Sequence, residues 1–212
     1  TVIKPVLGNI NQINQMAKVF NENRPQIIFH AAAYKHVPIQ EIHPWTAVRT
    51  NVGGTLGIVE MADKYQAEKF VLVSTDKAVN PVNIMGATKR LAEKLIQSIN
   101  VNSNTQFLAV RFGNVMGSSG SAIPTFQKQI NSGGPVTITH PEMTRYFMSL
   151  QEASQLILQS GAIGKGGEII LLEMGKPIKI DQLARDLIKL SGLKKPGSQE
   201  LIIESKTPLE AS

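Results

Sequence analysis

Residues Phe70–Lys77 read FVLVSTDK, and this stretch decides the fold class of the 212-residue chain. Its first four residues are all apolar, which predicts a short strand buried on both faces, as in a parallel sheet. Asp76 and Lys77 follow directly and should lie at the carboxyl end of that strand, where ligands bind in open α/β sheets. A carboxylic acid and an amine placed together can donate one proton and remove another, as an elimination requires.

Strand-like and helix-like segments alternate on both sides of this stretch. Short apolar runs predict strands at Ile27–His30, Phe70–Val73 and Gln106–Phe112. Periodic apolar positions and helix-start signals predict helices at Asn9–Asn21, Pro44–Tyr65 and Gly86–Ile99. This βαβαβ order predicts an α/β fold, a Rossmann-like doubly wound parallel sheet with helices on both faces.

After Gly113 the predicted elements become shorter, and loops rich in Gly, Ser and Pro separate them. We expect a small C-terminal α/β substrate lobe with helices at Ala122–Ile130, Gln151–Gln159 and Ile180–Leu190. Its short strands are predicted at Val136–Thr139, near Tyr146–Ser149 and at Glu168–Leu172. The predicted division is therefore a partial dinucleotide-binding domain with the catalytic motifs at residues 1–115 and a substrate-binding region at residues 116–212, interleaved with the sheet.

A sheet that binds a dinucleotide normally opens with a strand, a Gly-x-Gly-x-x-Gly turn and a helix whose N-terminus holds the pyrophosphate. No such turn occurs near the beginning of this sequence. We therefore expect an N-terminally truncated fragment that lacks the first βαβα of its sheet.

Composition narrows the classes of function. The chain has no cysteine, and its four histidines lack the spacing of metal ligands, so no metal site is predicted. The net charge of +6 suits an anionic ligand such as a nucleotide diphosphate, or simply a solvated surface. The basic residues form no dense patch, which argues against nucleic acid as a partner. No apolar run approaches the roughly 18 residues of a membrane span, and we expect a cytoplasmic protein.

Several longer motifs follow one another along the chain. They are FHAAAYKHVP (Phe29–Pro38), NVGGT (Asn51–Thr55), STDK (Ser74–Lys77), RFGNV (Arg111–Val115) and THPEMTRYFM (Thr139–Met148). Together they resemble the nucleotide-sugar 4,6-dehydratases of the extended short-chain dehydrogenase/reductase superfamily. The most similar group is the CapD-like polysaccharide-biosynthesis enzymes that act on UDP-N-acetylglucosamine. The resemblance implies NAD or NADP as cofactor, a UDP-sugar substrate and a 4-keto-6-deoxy product.

The resemblance assigns the elimination to the three residues that follow the buried strand. Thr75, Asp76 and Lys77 match this family motif. It implies that Lys77 removes the C5 proton and that Asp76 protonates the departing 6-hydroxyl, having first accepted the 4-hydroxyl proton. Lys77 must be neutral to act as a base, which a partly desolvated site favours. The alternative for these residues is a turn exposed to solvent without catalytic function.

One position departs from the superfamily pattern. The usual Tyr-x-x-x-Lys pair is replaced by Met85-x-x-x-Lys89. A thioether has no transferable proton, so Met85 is predicted to pack against the sugar or the nicotinamide. Lys89 keeps the implied family role of a hydrogen bond to the nicotinamide ribose, its alternative being a lysine on the helix surface.

The remaining assignments also come from the resemblance. Cofactor contacts are implied for the small residues at Ala31, Ala32 and Ala33, for Ser74, and for Asn51, which matches the superfamily residue that stabilises the active-site helix. Substrate contacts are implied for Lys35, Asn114 and Arg145, the last of these toward the diphosphate. The alternative for Arg145 is a salt bridge to Glu142 or Glu152.

Three functions compete at this point. The first is a UDP-N-acetylglucosamine 4,6-dehydratase, a lyase. The second is a UDP-sugar 4-epimerase on the same fold, which the Asp76–Lys77 pair and the missing tyrosine argue against. The third is a non-catalytic fragment that cannot retain NAD. We further expect the full-length protein to form homo-oligomers, and its longer relatives to carry N-terminal membrane helices.

Overall fold

The computed structural model describes residues 2–118 and 120–192, together with the backbone of a strand at 203–205. The chain divides into two compact units. The first consists of Thr1–Phe112 and Leu156–Leu172, and the second of Gly113–Gln155 and Glu173–Ser212. No helix among the described residues is long and apolar enough to cross a membrane. Most of the last twenty residues, for which the sequence predicts little pattern, lie outside the described ranges.

The helices and strands are numbered in chain order. The helices are α1 (Ile13–Asn23), α2 (Val37–Ile42), α3 (Pro44–Ala47), α4 (Thr55–Lys64), α5 (Ile84–Asn100), α6 (Ala122–Asn131), α7 (Leu150–Ile163) and α8 (Ile180–Leu190). The strands are β1 (Ile27–His30), β2 (Lys69–Val73), β3 (Gln106–Arg111), β4 (Asn114–Val115), β5 (Val136–Ile138), β6 (Thr144–Arg145), β7 (Phe147–Met148), β8 (Ile169–Leu171), β9 (Ile178–Lys179) and β10 (Ile203–Ser205).

The first unit is built on a parallel four-stranded sheet with the order β1-β2-β3-β8. The middle of β2 is fully buried, as its apolar run predicts. The rings of Phe70 and Phe107 lie 5.4 Å apart on neighbouring strands and join the core that Ile96 of α5 completes. The predicted α/β fold with a parallel sheet is therefore confirmed.

Two helices differ from their predictions for local reasons. The helix α1 begins at Ile13 rather than Asn9, because the Asn9 side chain accepts a hydrogen bond from the backbone N–H of Asn11 and forms a turn. The predicted helix Pro44–Tyr65 is continuous, but Val48–Gly54 forms a π-helical segment between α3 and α4. Such widened turns often accompany functional sites.

The second unit contains short paired strands and two amphipathic helices. The strand β4 pairs with β7, β6 with β9, and β5 with β10. The helices α6 and α8 pack over β5, and the buried residues of this core are Phe126, Ile130, Val136, Ile138, Ile180 and Ala184. The segment Leu156–Leu172, which the predicted division includes in residues 116–212, lies in the first unit because β8 pairs with β3.

Candidate active site

The turn after β2 carries the two residues that the sequence singles out for proton transfer. The N–H of Ser74 donates to the carbonyl of Val110 at 2.8 Å, and the N–H of Asp76 donates to that of Phe112 at 3.0 Å. These bonds continue the strand pairing past the end of β2. Asp76–Ala78 then forms a single 3₁₀ turn, so Asp76 and Lys77 lie at the carboxyl end of the sheet, as predicted for this fold class.

Asp76 and Lys77 contact each other directly. The Nζ of Lys77 lies 3.1 Å from Oδ1 of Asp76, and the Thr75 hydroxyl donates to the same oxygen at 2.9 Å. Both charged side chains are only about one quarter exposed, at 28% for Asp76 and 27% for Lys77. The alternative of a fully solvated turn therefore does not describe this pair. A proton can pass between the amine and the carboxylate without a bridging water.

Lys89 lies beside this turn rather than on the helix surface. Its Nζ donates to the carbonyl of Val73 at 2.8 Å, and the residue is 7% exposed. Burial lowers the pKa of Lys89 to about 8, and the nearby Glu93 carboxylate partly opposes this change. At neutral pH the ammonium group is thus still largely charged. It contributes a positive charge at the carboxyl end of β2.

The N-terminus of α5 packs directly against the turn. Asn83 caps the helix by accepting a hydrogen bond from the N–H of Gly86 at 2.8 Å. A Cβ atom on Gly86 would lie 2.4 Å from the backbone oxygen of Lys77, which is closer than real Cβ contacts allow. Only glycine lets the helix approach the turn this closely. Met85, next to it, is 5% exposed and does not lie on the solvent face of the helix.

Asn51 joins the loop after β1 to helix α5. Its Oδ1 accepts from the N–H of Tyr34 at 2.8 Å, and its Nδ2 donates to the Tyr34 carbonyl and to the Thr88 hydroxyl, both at 3.0 Å. The residue is fully buried and belongs to the π-helical segment. Its side chain thus holds two segments of the site together, while a contact with the cofactor stays a prediction.

His30, the last residue of β1, was not singled out from the sequence. Its Nε2 lies 3.0 Å from the hydroxyl of Thr55, and that hydroxyl donates its one proton to the carbonyl of Asn51 at 2.8 Å. His30 must therefore carry a proton on Nε2. Burial, and then the positive charge of Lys89, lower the pKa of His30 to about 4. A histidine at the end of an apolar strand was the available signal.

We expect His30 to make stability depend on pH between about 6.5 and 4. Its pKa is lower in the folded chain than in the unfolded one, so its contribution is complete above pH 6.5 and is lost as the pH falls toward 4. The loss should be about 3 kcal/mol, since one pKa unit corresponds to about 1.4 kcal/mol. Urea unfolding at several pH values checks this.

Two variants isolate that contribution. H30Q removes the titrating group and keeps a donor on the side chain, so it should lose less stability than the wild type over the same pH range. The exposed His36 provides the matched control, since H36Q should retain the wild-type dependence. Equal pH dependence in H30Q and the wild type would contradict the expectation.

Glu93 is a second functional candidate that sequence reasoning missed. It is completely buried on α5, and its carboxylate accepts from the Ser74 hydroxyl at 2.6 Å. The guanidinium of Arg111 donates to both carboxylate oxygens, at 2.7 and 2.6 Å. The only proton of the Ser74 hydroxyl is therefore directed to Glu93, and the predicted contact of Ser74 with the cofactor stays a prediction.

The carboxyl end of β1 fits the nicotinamide-ribose part of NAD(P). Ala31 and Ala32 are exposed there and Ala33 is half-buried, so only methyl groups stand between a ligand and the backbone. Lys89 has three N–H donors, of which the described residues engage one. These residues would hold the cofactor. Lys35, predicted to contact substrate, is exposed in the loop that follows.

Asn114 and Arg145, the other predicted substrate residues, belong to the second unit. The N–H of Asn114 donates to the carbonyl of Tyr146 at 3.0 Å. Arg145 donates to the carbonyl of its neighbour Thr144 at 2.9 Å. The carboxylates considered as alternative partners are engaged elsewhere: Glu142 accepts from Lys179, and Glu152 accepts from the backbone of Ser149. The salt bridge proposed as the alternative for Arg145 is thus absent among the described residues.

The chain is similar to known proteins along nearly its whole length. The family model of polysaccharide biosynthesis proteins matches residues 1–206. The capsular polysaccharide biosynthesis protein CapD of Staphylococcus aureus is 57% identical over 191 residues, which cover 90% of this chain and 32% of CapD. The X-ray structure of Pen from Bacillus thuringiensis has a TM-score of 0.87 at 35% identity and covers 97% of this chain and 63% of Pen.

Two further relatives have named sugar-nucleotide reactions. The UDP-N-acetylglucosamine 4,6-dehydratase (inverting) of Campylobacter jejuni is 39% identical over 164 residues, covering 76% of this chain and 49% of that enzyme. The UDP-glucose 4-epimerase of Rickettsia bellii is 39% identical over 172 residues, covering 80% of this chain and 50% of that enzyme. The chain thus spans about a third of CapD and half of these two enzymes. With its parallel sheet, its Asp76–Lys77 turn and a family match along nearly its whole length, the chain belongs to the polysaccharide biosynthesis protein family, in the CapD-like group of the short-chain dehydrogenase/reductase superfamily.

Proposed function

We propose that this chain carries the catalytic residues of an NAD(P)-dependent 4,6-dehydratase, which converts a UDP-N-acetylhexosamine into its 4-keto-6-deoxy derivative for surface polysaccharide or glycan biosynthesis. The observation that carries the proposal is the 3.1 Å contact between Lys77 Nζ and Asp76 Oδ1 at the carboxyl end of β2. The relative from Campylobacter jejuni, named as a dehydratase of this kind, supports it.

The pair can supply both protonation states that an elimination needs. Lys77 gives its ammonium proton to solvent as the site closes around the sugar, and the Asp76 carboxylate accepts the proton of the 4-hydroxyl when C4 is oxidised, so that a neutral amine and a carboxylic acid lie side by side. Exclusion of water around the bound sugar favours this uncharged pair over the ion pair. NAD(P), which Lys89, Ala31, Ala32 and Ala33 would hold, would supply a reversible hydride acceptor for oxidation at C4 and reduction at C6.

Elimination then balances through the two side chains. The Lys77 amine removes the proton from C5, whose acidity the 4-keto group raises, and the electrons of that C–H bond form the C5–C6 double bond. The C6–O bond breaks, and the proton of Asp76 joins the departing hydroxyl, which leaves as water. Lys77 is then an ammonium and Asp76 a carboxylate, the ion pair seen in the structure. When the hydride returns to C6, Lys77 gives a proton back to C5 and is again a neutral amine. Each positioned acid or base of this kind typically contributes about 10²–10⁴-fold to the rate.

The other assigned residues bind and orient. We propose that Lys89 donates to the nicotinamide ribose while its charge lies near the ring, and that Ala31, Ala32 and Ala33 let the cofactor approach β1. Met85, buried where most of the superfamily has tyrosine, would pack against the sugar or the nicotinamide. Lys35, Asn114 and Arg145 are proposed to contact the UDP-sugar, because amide, ammonium and guanidinium groups suit its hydroxyl and diphosphate oxygens.

A UDP-sugar 4-epimerase is the second candidate, and the name of the Rickettsia bellii relative favours it. Epimerisation at C4 needs no proton transfer at C5, so it leaves the amine of Lys77 without a role in the chemistry. The thioether of Met85 cannot accept the 4-hydroxyl proton in either reaction, so that step falls to Asp76 and does not separate the two candidates. The Asp76–Lys77 pair therefore favours the dehydratase.

One experiment separates the two reactions. The protein is incubated in D₂O with NAD or NADP and with UDP-N-acetylglucosamine or UDP-glucose, and the products are identified by mass spectrometry and NMR. The proposal expects loss of water, a 4-keto-6-deoxy sugar and one deuterium at C5. A C4 epimer of unchanged mass without deuterium would overturn it in favour of the epimerase. Binding of UDP-sugar without any conversion, in protein shown to bind NAD(P), would contradict both.

A further inference from the structure

The buried carboxylate of Glu93 is a feature that the proposed chemistry does not use. Its side chain has no solvent exposure, and a charge in such a place is costly unless donors surround it. Three side chains supply them: Ser74 at 2.6 Å, Arg111 at 2.6 and 2.7 Å, and Arg90 at 3.3 Å. The buried carboxylate of Glu93 therefore belongs to a network of side-chain hydrogen bonds rather than to an isolated ion pair.

Two of these partners flank the catalytic turn. Ser74 directly precedes Thr75, the first residue of the segment that carries Asp76 and Lys77. The Nη2 of Arg111 donates to Glu93 at 2.6 Å and also to the carbonyl of Ala78 at 3.5 Å. Ala78 is the last residue of the 3₁₀ turn. One carboxylate on α5 is thus connected to both ends of the turn. Arg90 lies on α5 itself and does not hydrogen-bond to the turn.

Stability alone does not explain a buried carboxylate at this position. Replacing a buried ion pair by well-packed apolar side chains is often neutral or stabilising. The planar guanidinium of Arg111 holds the Glu93 carboxylate in one orientation through two parallel hydrogen bonds. An apolar cluster has no directional contacts of this kind. A turn held in one orientation matters for catalysis, since a misplacement of about 1 Å can cost about 10²-fold in rate.

We propose that Glu93 is a positioning residue, whose carboxylate holds the Thr75–Ala78 turn through Ser74 and Arg111 and thereby fixes the direction in which Asp76 and Lys77 meet the sugar. The catalytic consequence rests on the proposed function, whereas the structural link between Glu93 and the turn can be tested without any reaction. Glu93 touches neither the sugar nor the cofactor in this role.

Glu93 also affects Lys89, one helical turn earlier on α5. Its negative charge raises the pKa of Lys89 against the effect of burial, while His30 faces Lys89 from β1 and is neutral at physiological pH. Replacing Glu93 therefore changes two properties of the site at once. Ser74→Ala removes the hydrogen bond to the turn and leaves the Glu93–Arg111 contact and the charge of Glu93 in place, so it is the cleaner variant.

The test compares S74A and E93Q with the matched control R90Q in the full chain. Arg90 binds the same carboxylate, is 35% exposed at its side chain and makes no hydrogen bond to the turn. Hydrogen–deuterium exchange of peptides covering residues 74–79 reports the backbone bonds of the turn, such as Asp76 N–H to Phe112 O. We expect exchange in these peptides to be about tenfold faster in S74A and E93Q and unchanged in R90Q.

Kinetics provide the second measurement. The kcat of S74A for formation of the 4-keto sugar should fall by about 10–100-fold, while KM for the UDP-sugar stays within about twofold. E93D, which keeps the charge, should recover part of the loss seen in E93Q. R90Q should retain wild-type kcat.

Several outcomes would overturn the proposal. One is unchanged exchange and unchanged kcat in S74A, and another is an R90Q variant that loosens the turn as much as S74A does. If E93Q fails to fold by circular dichroism, S74A decides alone. If the wild type forms no 4-keto sugar, the proposed function fails, and the exchange data still determine whether Glu93 holds the turn.

Discussion

Replacing Lys77 with methionine should lower the rate of dehydration by about 10²–10⁴-fold, the usual effect of losing a positioned acid or base. Methionine has a similar length and no amine, so the C5 proton has no acceptor and Asp76 loses its ion-pair partner. Sugar-nucleotide binding should change little, because the backbone hydrogen bonds that hold the turn do not involve the side chain of Lys77. Turnover measured by 4-keto sugar formation, together with calorimetric titration with the UDP-sugar, checks both parts.

The matched control for this prediction is Lys94→Met. Lys94 is exposed on α5, so its loss should leave both turnover and binding unchanged. Exchange of deuterium into C5 gives an independent measurement, and K77M should suppress it together with turnover. Near-normal turnover in K77M would exclude Lys77 as the base.

Replacing Gly86 with alanine should be the most damaging single-methyl change in the site. The added Cβ would lie 2.4 Å from the backbone oxygen of Lys77 and 3.2 Å from the capping oxygen of Asn83. Backbone cannot yield as a flexible side chain does, so the helix or the turn must move. Overpacking of this kind costs about 1–3 kcal/mol, and the displaced turn should lower kcat by about 10–100-fold.

Gly53 provides the control for the loss of a glycine. It is exposed in the π-helical segment, and an added Cβ would have no neighbour within 4 Å. G53A should therefore keep wild-type activity and gain up to about 1 kcal/mol in stability, because alanine favours the helix and restricts the unfolded chain. Urea unfolding and steady-state kinetics of both variants test the comparison. A G86A variant with kcat within twofold of wild type would show that the turn tolerates the displacement.

The turn that carries Asp76 and Lys77 could be predicted from the sequence because everything needed for it is local. Four apolar residues in a row indicate a buried strand, and the acid and the amine follow within three positions, so their place at the strand end needs no information about the rest of the chain. Family resemblance added the roles of Thr75, Asp76 and Lys77, which the structure leaves as predictions. The role of Lys89 was also predicted from the family resemblance. Its position beside the turn depends on how α5 packs.

The environment of that turn was decided by the tertiary structure. The Lys89–Val73 bond joins residues 16 positions apart, the Glu93–Arg111 contact 18, and the Asn51–Thr88 contact 37. Whether these contacts form depends on the register between β2 and β3 and on the close approach of α5, which Gly86 permits. A pattern of apolar and polar residues specifies which face is buried but not which buried polar groups will meet.

The sequence by itself determined the parallel α/β sheet, the strand-end position of Asp76 and Lys77, and the family. Only the tertiary structure decided that Glu93 is buried beneath the turn, that His30 is neutral, and that Leu156–Leu172 returns to the first unit through β8. The physical reason is the separation along the sequence of the residues that interact. Strand and helix formation follow from neighbouring residues, whereas the cost of burying a charge or a polar group is settled by partners that the fold brings from distant parts of the chain.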